Sequence, residues 1–282
     1  MLESWRWFGP DDPVSLENIV QAGARCIVSS LHQVPTGAAW PEDEIDSRKR
    51  EIESWGLQWG VVESIPVHNA IKTASGDYRT YIDNYKLSLQ RLGDDGIEDD
   101  CYNFMPEVEW NRTNLDYALP NASRALRFEM TDFVAYDVFI LERAGAAADY
   151  TEALLCAARE RLALMSDQQK ALLEKNIIAG LPGGEGSYDR AGILEAIQEF
   201  IQLGEAGLRK NLFNFLEEVI PVAEAAGIRM CIHPDDPPFS LFGLPRVVST
   251  AEDARQILEA VPSVNNGLTM CAGSYGARAD ND

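Results

Sequence analysis

Histidine is scarce in this chain, three among 282 residues. Basic residues are also few, 24 Lys and Arg against 45 Asp and Glu, which leaves a formal net charge of −21. A surface that acidic repels nucleic acid and anionic membranes, both of which are bound through basic patches. No stretch reaches the ~18 uninterrupted apolar residues of a membrane span, and no charged-then-apolar leader opens the chain. Cysteine is sparse too. Cys26, Cys101, Cys156, Cys231 and Cys271 are odd in number and widely spaced, which points to reduced thiols in a cytoplasmic protein rather than a disulfide framework.

What is present is an ordinary apolar fraction, 46%, enough for a sizeable core. It is laid out as alternating strand and helix. Strands are expected at residues 3–8, 25–31, 57–63 and 98–104, with helices at 14–22, 42–55 behind Pro41, and 78–92. From about residue 105 to 208 the pattern gives helices and no strand: 123–141, 151–165, 167–178 and 191–203, joined by loops such as LPGGEGS. The alternation then resumes with a helix at 208–226, a strand from 228, a helix at 248–260 and a strand from 267. The final ARADND reads as the opening of another helix.

Strand–helix–strand units imply parallel neighbours, and hence an α/β fold. A (β/α)8 TIM barrel uses about 30 residues per unit; with an insertion of roughly 100 set aside, about 180 remain, enough for about six of the eight strands. The expected domain is a single incomplete barrel over residues 1–282, with a large helical insertion at 105–208 after strand 4.

Two stretches carry chemistry-bearing side chains where an apolar run gives out: IRMCIHPDDPP at 228–238, with His233, and GLTMCAGSYGARADND at 267–282, with Cys271. On parallel neighbouring strands these two would share one mouth, as divalent-metal sites in α/β enzymes do. A histidine at a strand end can equally be a satisfied polar residue, and a cysteine after an apolar run a small buried hydrophobe. Asp235 and Asp236 are either partners of the imidazole and of sugar hydroxyls, or turn residues before Pro237. His32 and His68 follow the second and third strands, and Asn103 ends the fourth. Arg6, Arg246 and Arg278 are candidates for meeting a carboxylate, because a guanidinium fork matches it bidentately. Ser274 and Tyr275 share the Cys271 loop and could offer hydroxyls. Trp5, Trp7 and Phe8 could wall a sugar site or fill the core, with at least one of them expected in the core.

The runs WRWFGPDDPVSL, VVESIPVH, CYNFMP, HPDDPP with FGLPRVVST, and TMCAGSYGARADND together resemble the mannonate dehydratase family, over the whole chain. The resemblance implies a xylose-isomerase-like (β/α)8 barrel with a helical insertion. It implies a carbon–oxygen lyase that converts D-mannonate to 2-keto-3-deoxy-D-gluconate in hexuronate (glucuronate) catabolism. Mn²⁺ or Fe²⁺ would be held by a His and a Cys matching His233 and Cys271, completed by a further His and an Asp. Those two ligands, and a candidate catalytic His and Tyr, are expected beyond Asp282, because family members are longer; a C-terminal truncation is therefore expected and no catalytic residue is assigned within the chain. Among Arg6, His32, Asn103, Asp235, Asp236, Ser274, Tyr275 and Arg278 lie the candidate contacts to D-mannonate, and homo-oligomer formation is compatible with the sequence. Competing readings are a sugar isomerase or epimerase on the same barrel, against which a cysteine ligand argues, and an inactive truncated product.

Overall fold

A computed structural model of the chain describes residues 2–106, 110–179 and 189–282; the LPGGEGS loop lies outside the described residues. In chain order the first elements are β1 (Ser4–Arg6), α1 (Leu16–Gln21), β2 (Cys26–Ser29), α2 (Glu42–Glu53) and β3 (Gln58–Val62). They are followed by α3 (Asn69–Thr73), α4 (Tyr78–Asp94) and β4 (Asp99–Tyr102). Then come β5 (Asn114–Ala118), β6 (Arg124–Arg127), α5 (Met130–Phe139), a 3₁₀ turn (Ala146–Asp149), α6 (Glu152–Leu164) and α7 (Asp167–Ala179). The last are α8 (Arg190–Ala226), β7 (Arg229–Ile232), α9 (Ala251–Ala260), β8 (Asn266–Leu268) and α10 (Ala272–Tyr275).

β1, β2, β3, β4, β7 and β8 form one sheet in that order, every pair parallel. Sequential parallel strands joined by helical crossovers, with an insertion after the fourth, make a modified TIM-barrel topology. The expected fold class is thus the observed one. The chain divides into two compact units: residues 1–105, 205–238 and 247–282 form the first, and 106–204 with 239–246 the second.

Local signals explain most element boundaries in the first unit. Ser15 caps α1 reciprocally with Asn18, each side-chain oxygen accepting the other's backbone N–H, which satisfies two orphan donors. Pro41 stands at the N-cap of α2, ahead of Glu42, Asp43 and Glu44, three acids that complement a helix start. α4 buries Ile82, Tyr85, Leu89 and Leu92, the spacing of one helical stripe. Strand alternation then sorts the sheet's two faces. Trp7 lies under the Arg48 guanidinium of α2, 5.2 Å away, and Asp100 of β4 accepts from Tyr85 Oη of α4 at 2.6 Å. Those residues face the helices, so Arg6 and Cys101, one step away in their strands, face the other side.

Three expectations need correction. The second unit contains an antiparallel pair, β5 with β6, where no strand was expected. Residues 123–141 are not one helix: they are split between β6 and α5. The segment holds helix formers such as Ala125, Leu126, Met130 and Ala135 and neither Gly nor Pro, but propensity is a weak prior. Its start is captured by a hairpin turn in which Leu119 N donates to Ser123 O at 2.9 Å and Asn121 Oδ1 accepts from Ser123 N at 3.2 Å. At the end of the chain, ARADND forms turns rather than a helix. The helices expected at 191–203 and 208–226 are both present, as the two parts of α8 on either side of Gly204, whose φ of 68° and ψ of 175° are not helical.

All five cysteines are free thiols, and among the described residues no helix is long and apolar enough to cross a membrane. Trp7 is core, whereas Trp5 is 40% exposed.

The buried Asp100 makes the sheet sensitive to pH. Desolvation pushes its carboxyl up to about 7, more than the hydrogen bonds from Tyr85 and Ile65 bring it down. The folded state therefore keeps a proton that the unfolded chain releases near pH 4. Its stabilising contribution is complete below pH 4 and lost as pH rises through about 7. Urea unfolding of Asp100→Asn should accordingly have a flatter dependence on pH between about 4 and 7 than the unaltered chain, with the two curves converging or diverging by a few kcal/mol across that window. Parallel curves would show that Asp100 is not the titrating group.

Candidate active site at the strand ends

β7 and β8 run in register, Ile232 beside Leu268. The ladder continues past their ends: His233 N donates to Tyr102 O at 2.7 Å, and Thr269 N to Ile232 O at 2.9 Å. His233 therefore sits one residue beyond β7 and Cys271 three beyond β8, at the same end of adjacent parallel strands.

His233 is 7% exposed. Its Nδ1 lies 2.7 Å from the Pro234 carbonyl oxygen. A carbonyl only accepts, so Nδ1 carries the proton and the lone pair is on Nε2. Desolvation lowers the imidazole pKa against the opposing effects of that hydrogen bond and of Glu63, Asp236 and Asp235. The neutral form so favoured is the one that ligates metals. Cys271 has a different setting. Its Sγ caps α10, accepting from Ser274 N at 3.4 Å, and lies 3.3 Å from Ser274 Oγ. Sγ thus accepts one backbone N–H and donates to the Ser274 hydroxyl; a metal ligand would be the thiolate, formed as the ion displaces that proton.

The HPDDPP segment is fastened from within by Asp235. Its Oδ2 accepts from Val247 N at 3.1 Å, Val248 N at 2.8 Å and Ser249 Oγ at 2.9 Å, while Asp235 N donates to Val248 O at 3.0 Å. This grip holds residues 247–249 in a non-helical bend, which is why α9 starts at Ala251 rather than at 248. The helix then opens on a Thr250–Asp253 capping box, and Arg209 pairs with Asp253 at 2.7 Å.

The remaining candidates fare unequally. Arg278 is committed: Nε and Nη2 bind Asp280 at 2.9 and 2.7 Å, and Nη1 donates to Pro238 O at 2.9 Å. Ser274 is buried with its N–H and hydroxyl at Cys271. Tyr275 Oη is buried and makes no hydrogen bond among the described residues; burial pushes its pKa up. Asn103 follows β4, and its Oδ1 takes a long hydrogen bond from Met105 N, 3.4 Å. Asp236 precedes Pro237 and adds negative charge near His233. His32 stacks obliquely on Phe8, 5.8 Å between centroids, with a buried Nε2 that has no partner among the described residues. Burial, then Arg6 and Arg48, lowers its pKa to about 4. His68 has a helix-capping task, Nδ1 accepting from Ala70 N at 3.0 Å, and stacks on Tyr81. Arg246 is buried in the second unit.

Glu63 was missed from the sequence. It is the first residue past β3 and pairs with Arg6 at the end of β1, 3.4 Å apart. The available signal was positional: an acid closing the apolar run GVV sits where His233 sits in its own strand.

Among the described residues no group of three or more His, Cys, Asp and Glu side chains gathers as a metal cage. The fit of a cation therefore rests on two ligand side chains, an imidazole with its lone pair on Nε2 and a thiol whose sulfur accepts the Ser274 N–H. That pair suits a borderline divalent ion such as Fe²⁺ and tolerates Mn²⁺.

Comparison with known proteins adds the following. A family model described as D-mannonate dehydratase (UxuA) matches residues 1–282. A mannonate dehydratase of Saccharophagus degradans is 65% identical over the whole chain, which spans 71% of that relative. Mannonate dehydratase 2 of Agrobacterium fabrum is 55% identical, again over the whole chain and 71% of the relative. The crystal structure of mannonate dehydratase from Streptococcus suis serotype 2 matches with a TM-score of 0.73 at 34% identity, covering 100% of this chain and 67% of that one.

The Asp235 grip can be tested by unfolding. Asp235→Ala strands buried donors at 247–249 and should cost about 3 kcal/mol or more, whereas Ser249→Ala removes a single bond and should cost about 1 kcal/mol. Equal, small losses in urea titrations would contradict the assigned roles.

Proposed function

The chain belongs to the D-mannonate dehydratase (UxuA) family, and on that premise we propose that the β7–β8 rim is the centre of a hydro-lyase acting on D-mannonate. The reaction forms 2-keto-3-deoxy-D-gluconate, a step of hexuronate catabolism. The observation that supports this reading is that His233, one residue past β7, and Cys271, three past β8, follow the same end of adjacent parallel strands in a chain of this family. Residues 105–208 are read as an insertion within one barrel domain. The five free thiols support a reducing, cytoplasmic setting, and the protein is read as a homo-oligomer on the strength of its large apolar helices.

Removing a proton next to a carboxylate is difficult, since such protons are very weakly acidic. What a bound Mn²⁺ or Fe²⁺ supplies is Lewis acidity at the developing charge. His233 would hold it through Nε2, kept in that tautomer by the Pro234 carbonyl, and Cys271 through Sγ. Asp235 keeps the histidine's loop in place; its neighbour Asp236 adds negative charge beside the imidazole. Around them, Asn103, Tyr275 and Ser274 are proposed as partners for sugar hydroxyls, and neutral His32 as a partner that carries no charge of its own. Tyr275 supports this reading best, because its buried hydroxyl has no hydrogen bond to give up.

Metal analysis and turnover test the reading together. The chain loaded with Mn²⁺ or Fe²⁺ should form a 2-keto-3-deoxy acid from D-mannonate. His233→Ala and Cys271→Ser should each bind the ion about tenfold or more weakly and lose product formation with it. Equal metal occupancy in the unaltered chain and both variants would overturn the ligand assignment.

A further inference from the structure

We propose that the guanidinium of Arg6 is the anchor for the sugar acid's carboxylate, held for that task by Glu63; the inference rests on the reading of the strand-end rim as the sugar-acid site.

Placement comes first. Arg6 closes β1, Glu63 follows β3, and β2 lies between them. Their ion pair therefore passes over the end of β2, on the face turned away from the helices, since Trp7 takes the helix side. Electrostatics agree with that position. Burial lowers the Arg6 pKa, with Glu63 and Cys101 opposing.

The decisive feature is which nitrogen is used. Arg6 Nη1 donates to the Glu63 carbonyl oxygen and pairs with Glu63 Oε2. Both contacts fall on that one atom, and among the described residues Nε and Nη2 have no partner. The guanidinium is further fixed over the Phe8 ring, 4.9 Å from its centroid. With 29% of its side chain exposed, Arg6 presents a pre-oriented pair of N–H donors along its open edge. That edge is the half of the guanidinium that matches the two oxygens of a carboxylate. Glu63 occupies the opposite corner, leaving the edge clear.

The rival arginines are spent. Arg278 uses all three of its nitrogens on Asp280 and Pro238. Arg48 lies on the helix side, donating to Ser30 O and pairing with Glu51. His32, which neighbours Arg6, is neutral over the working range and does not compete for the anion.

Calorimetric binding of D-mannonate and of D-mannitol, its uncharged counterpart at C1, to the full chain tests the assignment. Arg6→Lys keeps the positive charge and loses the fork. It should weaken D-mannonate by about tenfold or more while changing D-mannitol little, so that the preference for the acid collapses. Arg6→Met should lose at least as much. Thermal melts of both variants close to that of the unaltered chain would exclude misfolding as the cause. Undiminished D-mannonate affinity in Arg6→Lys overturns the proposal, as does an equal loss for both ligands. Binding of D-mannonate by the unaltered chain with no preference over D-mannitol also overturns it, leaving the site reading intact. Failure to bind D-mannonate at all removes the site reading and this inference with it.

Discussion

Two backbone hydrogen bonds, His233 N to Tyr102 O and Thr269 N to Ile232 O, hold the ends of β4, β7 and β8 level. Everything proposed for the site depends on them. A parallel ladder that stopped one residue earlier would leave the residues after each strand to their own loops. A slip by one residue would turn every side chain of a strand to the opposite face. Because the ladder runs on past the strands, the imidazole inherits the rigidity of the sheet. Its ring is then fixed by the carbonyl of the next residue.

The prolines and acids of HPDDPP take their meaning from this constraint. A loop of that composition could be a bare turn or a set of ligand partners, and the sequence offered no means of choosing. The side chain of Asp235 turns inward and ties down residues twelve to fourteen positions away. Its task is thus structural, although it supports a chemical neighbour. Such a bond is long-range, and no local pattern in the sequence encodes it. The same holds for Arg278, whose place after Cys271 made it attractive until Asp280 and Pro238 were seen to occupy its nitrogens.

Elements set by local physics were legible in advance. Short apolar runs marked β2, β3 and β7, and Pro41 marked the start of α2. The strand-end positions of His233 and Cys271 followed from those runs and were strengthened by a family resemblance. The β5–β6 hairpin was not legible, because its residues are mostly exposed and show no buried alternation to betray a strand. Nor was Glu63, an acid among 45 in the chain, which acquires significance only when a strand two places away supplies Arg6.

The electrostatics of the rim resolve what composition alone left as a contradiction: a chain of net charge −21 reading as the binder of an anion. Screening removes the distant charges, since the Debye length is about 8 Å in physiological salt. Many acids near the first unit's surface are also already matched, as Asp99 is by Arg229 and Glu218 by Lys86. What remains is local and two-sided. At the β1–β2 corner the titration of His32 reports a positive field: after burial, Arg6 and Arg48 are what drive its pKa down, against Asp12 alone. At the β7 corner His233 reports the reverse, with Glu63, Asp236 and Asp235 all favouring its cation against the cost of burial. The two imidazoles thus act as probes of one polarised rim, able to take an anion at one corner and a cation at the other. Glu63 neutralises one side of Arg6 and its charge also favours the His233 cation. A substrate with a carboxylate at one end, and a metal-assisted reaction beside it, is the chemistry that such a gradient accommodates.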